Sequence, residues 1–277
     1  MSEQLAQQLQ EILSGPEREI DLGAAALTVA RLEYPDLDIA RYVAKLDQFS
    51  TRAAKRLTAG ASPSQLVEAL NGFLFDDAGF RGDSADYYDT RNSCLNEVMD
   101  RSSGIPITLS VVYLEIARRL DLPFFGVGLP GHFVVKYDDG DQALFVDPFG
   151  GGTIIGRDGC QKLVATVLGS PRDLSDADFA AVEKRYIIER MLNNLHGIHL
   201  HSCQYRKAIG VLDLTIALSA DAAGHFKQRG MLYYQLRDFP RTRQDLERYL
   251  SLRPDAPDAQ EVEKQIAGLR SLLALMN

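Results

Sequence analysis

Cysteine is scarce in this chain. Its three residues, Cys94, Cys160 and Cys203, are widely spaced and odd in number, so no disulfide framework is expected. Long apolar runs are missing as well. No uninterrupted stretch approaches the ~18 residues needed to cross a bilayer. The opening Met1-Ser2-Glu3-Gln4-Leu5 lacks the basic and apolar regions of a signal peptide. Positive charge is sparse: 30 basic residues stand against 38 acidic ones, a formal net charge of −8. No basic run is longer than a pair such as Arg118-Arg119, which argues against a nucleic-acid surface. These absences predict a cytoplasmic protein with neither a membrane nor a nucleic-acid partner. The 277 residues, 45% of them apolar, suffice for one large domain or two smaller ones.

The first hundred residues read as helical. Asp21 caps a helix through Leu27, and Asp36 to Leu57 carries Ile39, Tyr42, Val43 and Leu46 on one stripe. Ser62-Pro63-Ser64-Gln65 reads as a helix start with proline in the first turn. A polar, glycine-containing loop is predicted over Asp77 to Asp89. From Pro106 to Leu120 apolar residues surround the helix on all sides, which predicts a central, buried element. Pro106 fits its first turn, where an N–H would lack an intrahelical partner anyway.

Beyond this helix the period changes to that of strands. Phe124 to Val127, His132 to Tyr137 and Ala143 to Asp147 are strand-like. A two-residue turn at Asp139-Gly140 would place residues whose numbers sum to 279 opposite each other. His132 and Asp147 satisfy that sum, and would form a directly opposed cross-strand pair.

The C-terminal third repeats itself. Gln204-Tyr205-Arg206-Lys207-Ala208 returns 34 residues later as Asp238-Phe239-Pro240-Arg241-Thr242, and a 34-residue helix–turn–helix period is the tetratricopeptide signature. The second copy carries Gly230, Tyr233 and Pro254 at signature positions. The first has His196 and His199 where Gly and Tyr are usual. Ala259 to Met276 is expected to cap the array.

Two segments carry a resemblance to a known family. Asn92-Ser93-Cys94-Leu95-Asn96-Glu97-Val98-Met99-Asp100-Arg101 runs on to Gly104-Ile105-Pro106-Ile107-Thr108-Leu109-Ser110, and Gly126-Val127-Gly128-Leu129-Pro130-Gly131-His132-Phe133 follows. With the leucine-rich Leu114 to Pro123 stretch and Val146-Asp147-Pro148, they resemble the transglutaminase-like core, and over nearly the full length the bacterial SirB-type branch of it. The resemblance implies an α+β fold: a helical N-terminal region, a papain-like core with a small antiparallel sheet, and C-terminal α-helical repeats. Residues 1–183 would hold the first two, and 184–277 the repeat domain with its capping helix. It also places the family's catalytic Cys at Pro106, its His at His132 and its Asp at Asp147. A prolyl ring cannot be acylated, so the resemblance implies a retained, vestigial dyad rather than an established activity.

Other residues could supply a nucleophile. Thr108 and Ser110 lie one turn into the helix, and Cys94 precedes it on another, but each needs a base within hydrogen-bond reach and an oxyanion hole. His196, His199 and Cys203 fall at i, i+3, i+7 and could share a helical face toward a metal. They coincide with repeat packing positions and lack a fourth ligand, so neither metal nor cofactor is expected. Gly126, Gly128 and Gly131 spell a dinucleotide fingerprint, but a strand follows where that motif needs a helix. Two classes of function result. The first is a non-catalytic regulatory or adaptor protein whose repeats bind a protein or peptide. The alternative is a cryptic amide-bond hydrolase or acyl transferase, using His132 and Asp147 with Thr108, Ser110 or Cys94.

Overall fold

Side-chain caps start the N-terminal helices of this computed structural model, which describes residues 2–276. After α1 (Ser2–Leu13), Asp21 accepts a hydrogen bond from the Ala24 amide to open α2 (Leu22–Ala30). Asp38 does the same for Arg41 in α3 (Ile39–Ala54), and a Ser62–Gln65 capping box precedes α4 (Pro63–Asn71). A single π-helical turn, Gly72–Asp77, follows α4. The expected loop then holds β1 (Arg81–Gly82), which pairs in parallel with β2 (Ser103–Gly104). Between these lies α5 (Leu95–Arg101), and β2 leads directly into α6 (Pro106–Arg119). Residues 106–117 of α6 are all buried, as its all-round apolar pattern requires.

A four-stranded antiparallel meander follows in the order β3 (Phe124–Val127), β4 (Val134–Asp138), β5 (Ala143–Asp147) and β6 (Thr153–Ile155). Alternation divides its side chains between two faces. On one face Val127, Val134 and Phe145 pack with Cys160 and Val164 of α7 (Arg157–Leu168) and with Phe179. On the other, Phe124 meets Tyr137 and the Tyr113 ring of α6, with centroids 5.2 and 5.3 Å apart.

The hairpin between β4 and β5 corrects the expected register. Val135 faces Val146 and Asp138 faces Ala143, so paired numbers sum to 281 and not 279. The connection has four residues because Asp139 folds it. Its Oδ1 accepts from the amides of Asp141 at 3.0 Å and Gln142 at 2.8 Å, an Asx-type turn wider than the two-residue form. His132 therefore precedes β4, and the ladder partner of Asp147 is Thr153 on β6. They are not directly opposed.

The C-terminal helices are α8 (Lys184–His201), α9 (Tyr205–Leu218), α10 (Ala223–Gln235), α11 (Phe239–Leu252) and α12 (Ala259–Met276). α9 and α11 begin and end at the same offset, as the 34-residue period requires. Gly230 lets α10 and α11 approach: a Cβ there would lie 3.2 Å from that of Asp245. Arg229 bridges Asp213 of α9 and Asp245 of α11 at 2.7 and 2.8 Å. The chain divides into two units. Residues 11–191 form one, and those up to Gln10 together with those from Leu192 onward form the other.

Candidate functional site

His132 sits in a tight turn closed by its own amide, which donates to the Leu129 carbonyl at 3.2 Å. Gly131 makes the turn possible with φ +71°. Arg190 of α8 fastens it from below, donating to the carbonyls of Leu129 at 3.0 Å and His132 at 3.2 Å. Asp147 ends β5. Its Oδ1 lies 2.9 Å from His132 Nε2 and accepts the Phe149 amide at 3.1 Å. Both residues are buried, at 4% and 7% exposure. In the tautomer that donates from Nε2 to Asp147, Nδ1 is left as the basic nitrogen. That is the orientation a general base adopts.

None of Pro106, Thr108 and Ser110 is bonded to that nitrogen. Pro106 opens α6 and carries neither thiol nor hydroxyl. The Thr108 hydroxyl is consumed by backbone: it accepts from the Ile105 amide at 3.2 Å and donates to the Asn92 carbonyl at 2.8 Å. Ser110 is fully buried with Oγ unpartnered, so no base lies within its reach. Cys94 is the N-cap of α5 and lies near Tyr34. Neither the Thr108 nor the Ser110 hydroxyl bonds to His132, whose ring instead packs edge-on against Phe149, with centroids 6.0 Å apart. Phe149 in turn closes on β1: a Cβ on Gly82 would lie 2.6 Å from its carbonyl oxygen.

Asp147, two residues beyond Phe145, points to the α7 face, while Tyr113 of α6 packs on the opposite face. On the α7 face one thiol does come near. Cys160 is fully buried, and its thiol is pushed up to about 11, by burial first and by the Asp147 charge second. A thiol held protonated in this way is the reverse of an activated nucleophile. The sequence reading passed over Cys160, Phe149 and Arg190, none of which lies in a motif segment that marks the dyad.

The metal triplet dissolves on inspection. Cys203 lies beyond the end of α8 with φ +53° and is exposed, so it leaves the helical face of His196 and His199. Among the described residues, no group of three or more side chains is disposed to hold a metal ion. Instead His225 of α10 and His199 both lie near His196. In the same unit, a cleft of about 380 Å³ opens between α10, α11 and α12, lined by Met231, Tyr234, Leu246 and Leu272.

Residues 40–193 match the profile of the transglutaminase-like superfamily, which covers more than half of the chain. The chain belongs to the transglutaminase-like superfamily. Residues 195–267 match the tetratricopeptide repeat. Within the superfamily this chain is similar to a UPF0162 protein of Xylella fastidiosa, 33% identical over 273 residues and 97% of each chain. A UPF0162 protein of Vibrio cholerae is 25% identical, over 91% of this chain and 92% of that one. Human F-box only protein 21 is 28% identical over 64% of this chain but only 29% of its own length. Among solved structures, one titled as menin with its binding site for the Mixed Lineage Leukemia protein aligns with 88% of this chain and 68% of its own. Its identity is 12% and its TM-score 0.44, too low to transfer anything. Among the described residues, no helix is long and apolar enough to cross a membrane.

Proposed function

We propose that this superfamily member is a non-catalytic regulatory or adaptor protein of the bacterial cytoplasm, a pseudoenzyme core joined to partner-binding repeats. The observation that carries the reading is the start of α6. Pro106 opens α6, where the resemblance implies the family's thiol, and the hydroxyls of Thr108 and Ser110 are spent or stranded. The repeat unit supplies the other half. Its cleft exposes Tyr234 at 49% and Leu272 at 38%, the kind of apolar surface through which helical repeats hold a peptide segment.

Two assays on the same proteins test this. Tyr234→Ala and Leu272→Ala should abolish capture of the partner, while His132→Ala leaves it intact. In a screen of small amides and esters, wild type should show no turnover. Turnover that disappears in His132→Ala, by the ~10²–10⁴-fold typical of a lost general base, would establish the hydrolase reading instead.

A further inference from the structure

A pocket of about 410 Å³, holding neither residue of the dyad, opens within the unit of residues 11–191. It lies where Glu17 and Arg18, the end of α6, the start of β3 and the first turn of α8 meet. Small-molecule sites are of this size, concave and mostly apolar with a few placed polar groups. Leu122, Pro123, Phe125 and Val182 form walls that keep exposed surface, Phe125 as much as 44%. The base is Phe124, fixed between the rings of Tyr113 and Tyr137. The apolar shape is therefore preformed.

Charge here runs against that of the whole chain, which is −8. Arg18, Arg118 and Lys184 line the pocket against Glu17 and Glu115. Glu115 is out of a ligand's reach. It is 1% exposed, and its oxygens are taken by Arg118 at 3.1 and 3.2 Å and by Arg119. Glu17 Oε1 accepts the Lys184 amide at 2.9 Å. The two inner cations, by contrast, keep donors in hand. Arg118 spends Nε and Nη2 on Glu115, its Nη1 has no partner among the described residues, and its side chain is 39% exposed. Lys184 Nζ donates to the carbonyls of Glu17 at 2.7 Å and Ile20 at 2.8 Å, leaving one of its three N–H groups unspent. Among the described residues no carboxylate is bonded to that ammonium. Burial holds Lys184 below its ordinary value, and the nearby Arg118 charge adds to this against the pull of Glu17, Glu115 and Asp21. An anion between the two cations would relieve both.

We propose that this pocket binds a small apolar carboxylic acid in its ionised form. The carboxylate accepts from Arg118 Nη1 and Lys184 Nζ, and the hydrocarbon lies on Leu122, Phe125 and Val182. Charge-assisted hydrogen bonds of this kind are the strong ones, and the apolar walls supply the remaining affinity. A single negative charge suits the site, because a dianion would also meet the Glu17 carboxylate.

Calorimetric titration of the full chain with octanoate tests this. Octylammonium keeps the tail and reverses the charge, and acetate keeps the charge without the tail. Octanoate should bind saturably, and neither control should. Arg118→Met should weaken octanoate about tenfold, the loss expected for one charge-assisted hydrogen bond. Phe125 is at the mouth and outside the ion pairs, so Phe125→Ser tests the apolar wall without risk to Glu115, and should also weaken binding. Tyr234→Ala, in the repeat cleft, should leave the affinity unchanged. Absence of saturable octanoate binding at millimolar concentration overturns the proposal. So does octylammonium binding as tight as octanoate, unchanged affinity in a folded Phe125→Ser protein, or a loss in Tyr234→Ala. Tighter binding of acetyl-Leu-Leu with a free C-terminus than of octanoate also overturns it, and assigns the pocket to a polypeptide end.

Discussion

Single side chains decide whether this site is chemistry or scaffold. Asp147 accepts two hydrogen bonds in a buried place, from the His132 ring and the Phe149 amide. Its structural contribution therefore exists whether or not catalysis does. Asp147→Ala strands both donors and should lower unfolding free energy by about 1–3 kcal/mol, read as a fall in urea midpoint with an unchanged slope. The dyad itself was legible in the sequence, because both residues sit in short motif segments. What was not legible was the route by which they meet. A single carboxylate, Asp139, accepts two amides and lengthens the hairpin turn. The ladder then shifts by two, and a residue outside β4 reaches the dyad through its turn rather than across a ladder. The fate of Thr108 was equally hidden, since its acceptor, the Asn92 carbonyl, is sixteen residues distant.

Helices were easier to read than the ways they touch. The starts at Asp21, Asp38 and Ser62 are encoded by local side chains, and the burial of α6 by a pattern within one segment. The degenerate first repeat is different. His196 and His199 on α8 read as departures from the signature or as part of a metal face, and only packing against α10 brings His225 near His196. Burial, then the charges of His225 and His199, push the His196 imidazole below its ordinary value. No carboxylate is among the groups that act on it; Asp213 and Asp245 are engaged by Arg229. A folded value below the unfolded one, near 6.5, means that the unfolded chain takes up protons first as pH falls. His196 thus contributes stability that is complete above about pH 6.5 and is lost as pH drops below it toward the folded value. Thermal midpoints measured between about pH 5 and 8 should decline on the acid side. His196→Phe should flatten that decline.

At the scale of the whole molecule, the repeat unit is built from both ends of the chain. The segment up to Gln10 groups with the helices from Leu192 onward. Leu9 is fully buried and Leu5 nearly so, and Gln10 Nε2 donates to the Ala217 carbonyl at 2.6 Å across a separation of 207 residues. Deleting residues 2–10 should therefore loosen the repeats while sparing the sheet. Amide exchange would show lost protection in α8 to α12 and native protection in β3 to β5.

This arrangement also sets an order in time. During synthesis the segment around Leu5 and Leu9 leaves the ribosome well before the helices it groups with. At ~5–20 residues per second, a gap of 207 residues keeps these leucines waiting for roughly 10–40 s. Throughout that interval a nascent chain displays an amphipathic helix with nothing to cover its apolar side, a ready target for whatever factor greets emerging polypeptides.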